Sequence, residues 1–151
     1  MNENLRSPAA DALRKWCASQ ERSTQDALEK LRRLGVEGGE AAGVIAQLVS
    51  EDFLNEARFA ESFVRARAEH KAWGPAKIRA GLRAKGVSSA EIERAMEAQR
   101  PGVFSQGLER LVERRSHELP EGKDRVVRWL LGRGFPLGEV LAALAPHERA
   151  G

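Results

Sequence analysis

The chain has 151 residues, 42% of them hydrophobic, and a formal charge of +3, so it can bury a core as one domain or a few small packed units, and disorder throughout is excluded. A single cysteine, Cys17, rules out an internal disulfide framework and leaves no cysteine pair for zinc, which points to a reducing compartment. The N-terminal "MNENLRSPAA" lacks the charged-then-apolar layout of a signal peptide and no run approaches the ~18 apolar residues of a membrane span, so the expectation is a soluble cytoplasmic protein without membrane contact.

Strand signals are scarce: there is no Tyr, and no Asn-Gly or Asp-Gly hairpin. Helix punctuation is dense. After an N-terminal tail over 1–10, Ser7-Pro8 reads as an N-cap with Pro at the first helical position, and Leu13, Trp16 and Cys17 recur at helical spacing. Ser23 with Asp26 resembles a capping box before Leu28, Leu31 and Leu34, and Gly35 closes that helix as a left-handed cap. A third helix follows over Glu40 to Leu48, in which Gly43 costs about 1 kcal/mol of helix propensity. Phe59, Ala60, Phe63 and Val64 mark a helix ending near Trp73-Gly74; Pro75 opens the next around Ile78 and Leu82, and Gly86 stops it. Gly81, inside that helix, has no local explanation. Ser88 with Glu91 caps a helix carrying Ile92, Ala95 and Met96. The last third repeats the grammar with Phe104, Leu108, Leu111 and Val112; then Val126 to Leu131 ending at Gly134; then Leu137, Val140, Leu141 and Leu144.

Nine helices in three sets of three are therefore expected. Counted from the glycine that ends each second helix, Gly35, Gly86 and Gly134, apolar residues recur at +1 (Val36, Val87, Phe135), +6 (Ala41, Ile92, Val140), +9 (Val44, Ala95, Ala143) and +10 (Ile45, Met96, Leu144). The fold class is all-α, three tandem three-helix repeats in an elongated, curved array, with repeats over 11–50, 51–99 and 103–147. Trp16, Trp73 and Trp129 do not fall at equivalent offsets and read as three separate core or half-buried aromatics. Leu13, Trp16, Leu28, Phe59, Phe63, Ile78, Leu82, Leu111, Val127 and Leu130 are the expected core.

The charge is unevenly placed. Between Arg58 and Lys85 eight cations face two acids, a local +6, leaving −3 for the remainder. Such a basic middle suggests a surface for a polyanion or an acidic partner, against the alternative of a solvated helix face. Catalytic and metal chemistry find no residues: His70, His117 and His147 have no partner at i+3 or i+4, "GVEGGEAAG" lacks the Gly-Lys-Ser/Thr ending of a phosphate loop, and no nucleophile elbow is present. Two helices around a Gly corner suggest a DNA-reading helix-turn-helix, but the second helix must then supply the cations. Here "SSAEIERAMEAQ" has three Glu against one Arg, and "GEAAGVIAQL" and "PLGEVLAALA" have no cation.

The run "DFLNEARFAESFVRARAEHKAWGPAKIRAGLRAKGV" resembles the central signature of the RecX family, bacterial regulators of the RecA recombinase, through Arg58-Phe59-Ala60, Phe63-Val64, Arg67, Gly74-Pro75, Ile78, Leu82, Lys85 and Gly86. The resemblance covers nearly the whole chain, since the family is built of three tandem three-helix repeats; the Gly-rich "GVEGGEAAG" departs from it. It implies a monomeric protein without catalytic activity or cofactor that lies along the RecA filament on single-stranded DNA and inhibits RecA's ATP hydrolysis, strand exchange and co-protease action; some members also touch DNA directly. The charge distribution nominates Arg58, Arg65, Arg67, Lys77, Arg79, Arg83 and Lys85 as a face for RecA's acidic patches or the bound strand. Arg79 and Arg83 share a side at i, i+4, and Lys77 points elsewhere. General nucleic-acid binding through this basic middle is the alternative.

Overall fold

The computed structural model describes residues 7–150. Among them there are nine α-helices, one 3₁₀ turn (Ser116–Glu118) and no strand: α1 Pro8–Ser19, α2 Thr24–Arg33, α3 Gly38–Ser50, α4 Glu56–His70, α5 Pro75–Ala84, α6 Ser89–Glu97, α7 Val103–Arg115, α8 Lys123–Gly132 and α9 Leu137–Ala150. The first helix begins inside the segment set aside as a tail, because Ser7 accepts a hydrogen bond from the Ala10 N–H at 3.0 Å and Pro8 is pre-set for the helix. Ser23 and Ser88 cap α2 and α6 in the same way. α4 stops at His70, short of Trp73, because Ala72 takes φ +53. α3 runs unbroken across Gly43.

Three apolar cores follow the helix triplets, built on Leu13, Leu31 and Leu48; on Phe59, Phe63, Ile78 and Leu82; and on Leu111, Leu130 and Leu144. The division is not strict. Val103, at the start of α7, packs into the middle core, while Ala72, after α4, packs into the third. The expected core residues Leu13, Phe59, Phe63, Ile78, Leu82, Leu111 and Leu130 are buried, and Trp16 and Val127 pack half-buried against their clusters. Leu28 does not belong there: it is 42% exposed, and Ala27 and Leu31 face inward instead.

The second helix of each triplet is built to one plan. α2, α5 and α8 each have 10 residues. All three end at a glycine with positive φ: Gly35 (+85), Gly86 (+82) and Gly134 (+100). After each glycine the next N–H reaches back to a carbonyl five residues earlier: Val36 to Leu31 at 2.8 Å, Val87 to Leu82 at 3.1 Å and Phe135 to Leu130 at 3.3 Å. That is the Schellman ending, and it forces the chain to turn where a Cβ would be strained. The accepting leucines are fully buried, as are Ala27, Ile78 and Val126 one turn before them. Beyond the corner Ala41, Ile92 and Val140 are buried at the shared +6 offset.

Each later corner rests on the start of the preceding triplet's second helix. Gly134 lies so close to Gly74 that a Cβ on Gly74 would stand 2.5 Å from the Gly134 carbonyl carbon. The Gly74 N–H donates to the Arg133 carbonyl at 2.7 Å and the Ala76 N–H to the Gly134 carbonyl at 3.0 Å. Donors left over at the start of α5 thus meet acceptors left over at the end of α8, and neither stays unsatisfied. At the other joint the Gly86 corner meets Gln25, whose Nε2 donates to the Ala84 carbonyl at 2.8 Å. Side chains supply the rest of that joint. Lys85 binds Asp26, Arg58 binds Glu21, and the Thr24 N–H donates to the carboxylate of Glu56. Burial raises the Glu56 pKa, partly offset by that hydrogen bond.

Candidate interaction surface

The seven nominated cations differ in how far they are already engaged within the protein. Arg58 is held by Glu21 and Asp52, both at 2.9 Å. Arg79 grips Glu93 with two hydrogen bonds of 2.8 and 3.0 Å, which raises the arginine pKa and lowers the glutamate's. Lys85 reaches both oxygens of Asp26 at 3.1 and 2.9 Å. Arg65 sits 3.7 Å from Glu61. Such partly exposed pairs stabilise by roughly 0–1 kcal/mol each, but they commit the cation to an internal partner.

Arg67 and Lys77 are brought together by an aromatic pair. The Arg67 guanidinium lies 3.7 Å from the Phe63 ring centre and 5.4 Å from that of Trp73, and the Lys77 ammonium lies 4.4 Å from Trp73. Phe63 and Trp73 meet edge to face. Burial lowers the Arg67 pKa, and its Nε is buried without an acceptor. Of the seven, Arg83 alone is exposed with neither an ion pair nor a ring contact among the described residues. Its charge also helps to lower the pKa of Glu93.

A second group of cations was not nominated from the sequence, although Lys71 was counted in its basic middle. Between the end of α4 and helices α7 and α8 lies a cleft of about 560 Å³, lined by Glu69, His70, Lys71, Ala72, Trp73, Arg110, Leu111, Arg114 and Arg133. Arg110 donates to the Glu69 carbonyl at 3.3 Å and Arg133 to the Lys71 carbonyl at 3.0 Å, so both guanidiniums cap the end of α4. The Arg133 Nε is buried without an acceptor. Lys71, Arg110, Arg114 and Arg133 form no ion pair among the described residues, and the one carboxylate in the lining, Glu69, is held by Arg100 at 3.2 Å. The local signal in sequence was slight: Arg110 and Arg114 at i, i+4, and Arg133 beside a corner glycine.

Each tryptophan carries two cations: Trp16 with Arg22 and Lys30, Trp73 with Lys77 and Arg67, Trp129 with Arg115 and Arg133. Among the described residues no three His, Cys, Asp or Glu side chains converge as metal ligands, and no helix is long and apolar enough to cross a membrane.

Comparison with known proteins places this arrangement. Residues 55–96, which run from the cap of α4 to the end of α6, match a family model described as RecX, second three-helix domain. A regulatory protein RecX of Halorhodospira halophila is 32% identical over 141 residues, covering 91% of this chain and 87% of that protein. One of Thermus thermophilus is 37% identical over 114 residues, 74% of this chain and 75% of its own. The crystal structure of RecX from Lactobacillus salivarius shares the fold at a TM-score of 0.77 and 23% identity, covering 99% of both chains.

Proposed function

The chain belongs to the RecX family of regulatory proteins, and on that premise we propose that it binds the RecA filament on single-stranded DNA and inhibits RecA's ATP hydrolysis, strand exchange and co-protease action. It thereby modulates recombination, DNA repair and the SOS response, and it acts by covering a surface, with no chemistry of its own. The observation that carries this reading is the central signature itself, folded as the α4–α6 unit and matched by the family model. Three tandem helix triplets joined by recurring corners would give an elongated, curved cytoplasmic monomer whose repeated face can follow a helical lattice of protomers.

Within the nominated cations, contact with RecA falls to those not already engaged: Arg83 first, then the loosely paired Arg65 and Lys77 at the edge of Trp73. Arg58, Arg79 and Lys85 hold the protein together. For the same reason general nucleic-acid binding through the basic middle loses most of its charge. Titrating the protein into RecA on single-stranded DNA should depress ATP hydrolysis, and Arg65→Glu with Arg83→Glu should weaken that effect about tenfold at unchanged Tm. Unaltered hydrolysis over a wide range of protein would sink the family-level proposal; full inhibition by the double variant would remove these two residues from the face.

A further inference from the structure

We propose that the cleft between the end of α4 and helices α7 and α8 binds the phosphate backbone of single-stranded nucleic acid through Lys71, Arg110, Arg114 and Arg133. Elsewhere in the described chain many cations are taken up by a carboxylate: Arg14 takes Glu51, Arg58 takes Glu21, Arg79 takes Glu93, Arg115 takes Glu118. Here four cations line one cleft with a single carboxylate that is already engaged. Like charges so placed repel one another, and an anion relieves that repulsion.

The anchoring is selective. Arg110 and Arg133 spend one nitrogen each on a backbone carbonyl, which fixes their forks, and keep further donors. The side chains of Arg114 and Lys71 make no hydrogen bond or ion pair among the described residues, and both residues are exposed.

The lining distinguishes the ligand. An acidic peptide would be read through apolar pockets beside its charges, but the apolar side chains here, Ala72 and Leu111, are buried in the third core. Trp73 is engaged by Lys77, Arg67 and Phe63, so it offers no free platform for a base. What remains are charges alone, and backbone contact without base reading needs nothing more.

The experiment contains no recombinase, so its failure and that of the RecA reading are independent. Fluorescence anisotropy of a labelled oligothymidylate would be followed between about 50 and 200 mM salt. Four phosphate contacts on a single strand predict a log–log slope of about −2.8, an affinity loss of roughly 50-fold over that range. Lys71→Ala with Arg114→Ala removes two contacts without touching an internal bond. Its slope should fall to about −1.4, roughly 7-fold over the same range, at wild-type Tm. An unchanged slope in that variant, no binding at the lowest salt, or tighter binding of polyglutamate than of the oligonucleotide would each overturn the assignment.

Discussion

Glu118 shows at the residue scale how strongly paired arginines can hold a carboxylate in its charged form. It accepts two hydrogen bonds from Arg115, at 2.6 and 2.8 Å, and one from Arg125, and the Arg115 hydrogen bonds first of all hold its pKa down to about 2. Arg115 in turn lies 4.5 Å over Trp129, so the carboxylate helps to tie the end of α7 to α8. A depressed carboxylate contributes stability above its unfolded pKa and loses it as pH falls through the folded value. Glu118→Gln should therefore lower Tm at pH 7, with the gap from wild type closing between pH ~4.5 and ~2; a gap constant over that range would place the effect in packing. Which residues carry charge was legible in the sequence, but not which charges remain free, because pairs such as Arg58–Glu21 and Lys85–Asp26 join distant segments. The same limit applies to Leu28. Leu28, Leu31 and Leu34 form as good an i, i+3 stripe as Ala27 and Leu31 form at i, i+4, and tertiary packing chose the second.

At the scale of the helix, the corners were legible because a glycine at positive φ leaves a mark in sequence: Gly35, Gly86 and Gly134 stand where only glycine turns without strain. Gly81 was not, since its reason lies on another helix. A Cβ there would stand 2.8 Å from Cζ of Phe63, so the missing side chain lets α5 rest on that ring. Gly81→Ala gains about 1 kcal/mol in helix propensity but must displace a ring held between Arg67 and Trp73, an overpacking cost of about 1–3 kcal/mol. We expect a net loss near 1 kcal/mol in denaturant unfolding, and a neutral or favourable effect of the same change in a Phe63→Leu background. Stabilisation of the wild type by Gly81→Ala would mean that the ring has room. The residues that carried the family resemblance sit in like positions: Phe59, Phe63, Ile78 and Leu82 in the core, Gly74 and Lys85 at the joints. They identify the scaffold, and most of them are spent on its packing and its joints.

At the scale of the whole molecule, the corner glycines separate local from long-range cost. A Cβ on Gly35 meets nothing within 4 Å, so Gly35→Ala should cost only the left-handed backbone, about 1–2 kcal/mol. One on Gly134 would fall 2.5 Å from the Lys77 nitrogen, and Gly134→Ala should cost that plus the joint, lowering Tm several degrees further and exposing residues 97–103 to limited proteolysis. Equal Tm losses and equal cleavage in the two variants would show that the α8–α5 contact does not couple the triplets. The two joints also answer differently to their surroundings. That between the second and third triplets combines the peptide hydrogen bonds at Gly74 and Gly134 with the guanidiniums of Arg110 and Arg133 on the Glu69 and Lys71 carbonyls and with Val103 and Ala72 packed across the boundary, and none of these contacts is an ion pair. That between the first and second rests on the partly exposed pairs Lys85–Asp26 and Arg58–Glu21 beside the uncharged contact of Gln25 with the Ala84 carbonyl, and surface ion pairs weaken as salt rises. Raising the ionic strength should therefore loosen the joint between the first and second triplets more than the one between the second and third.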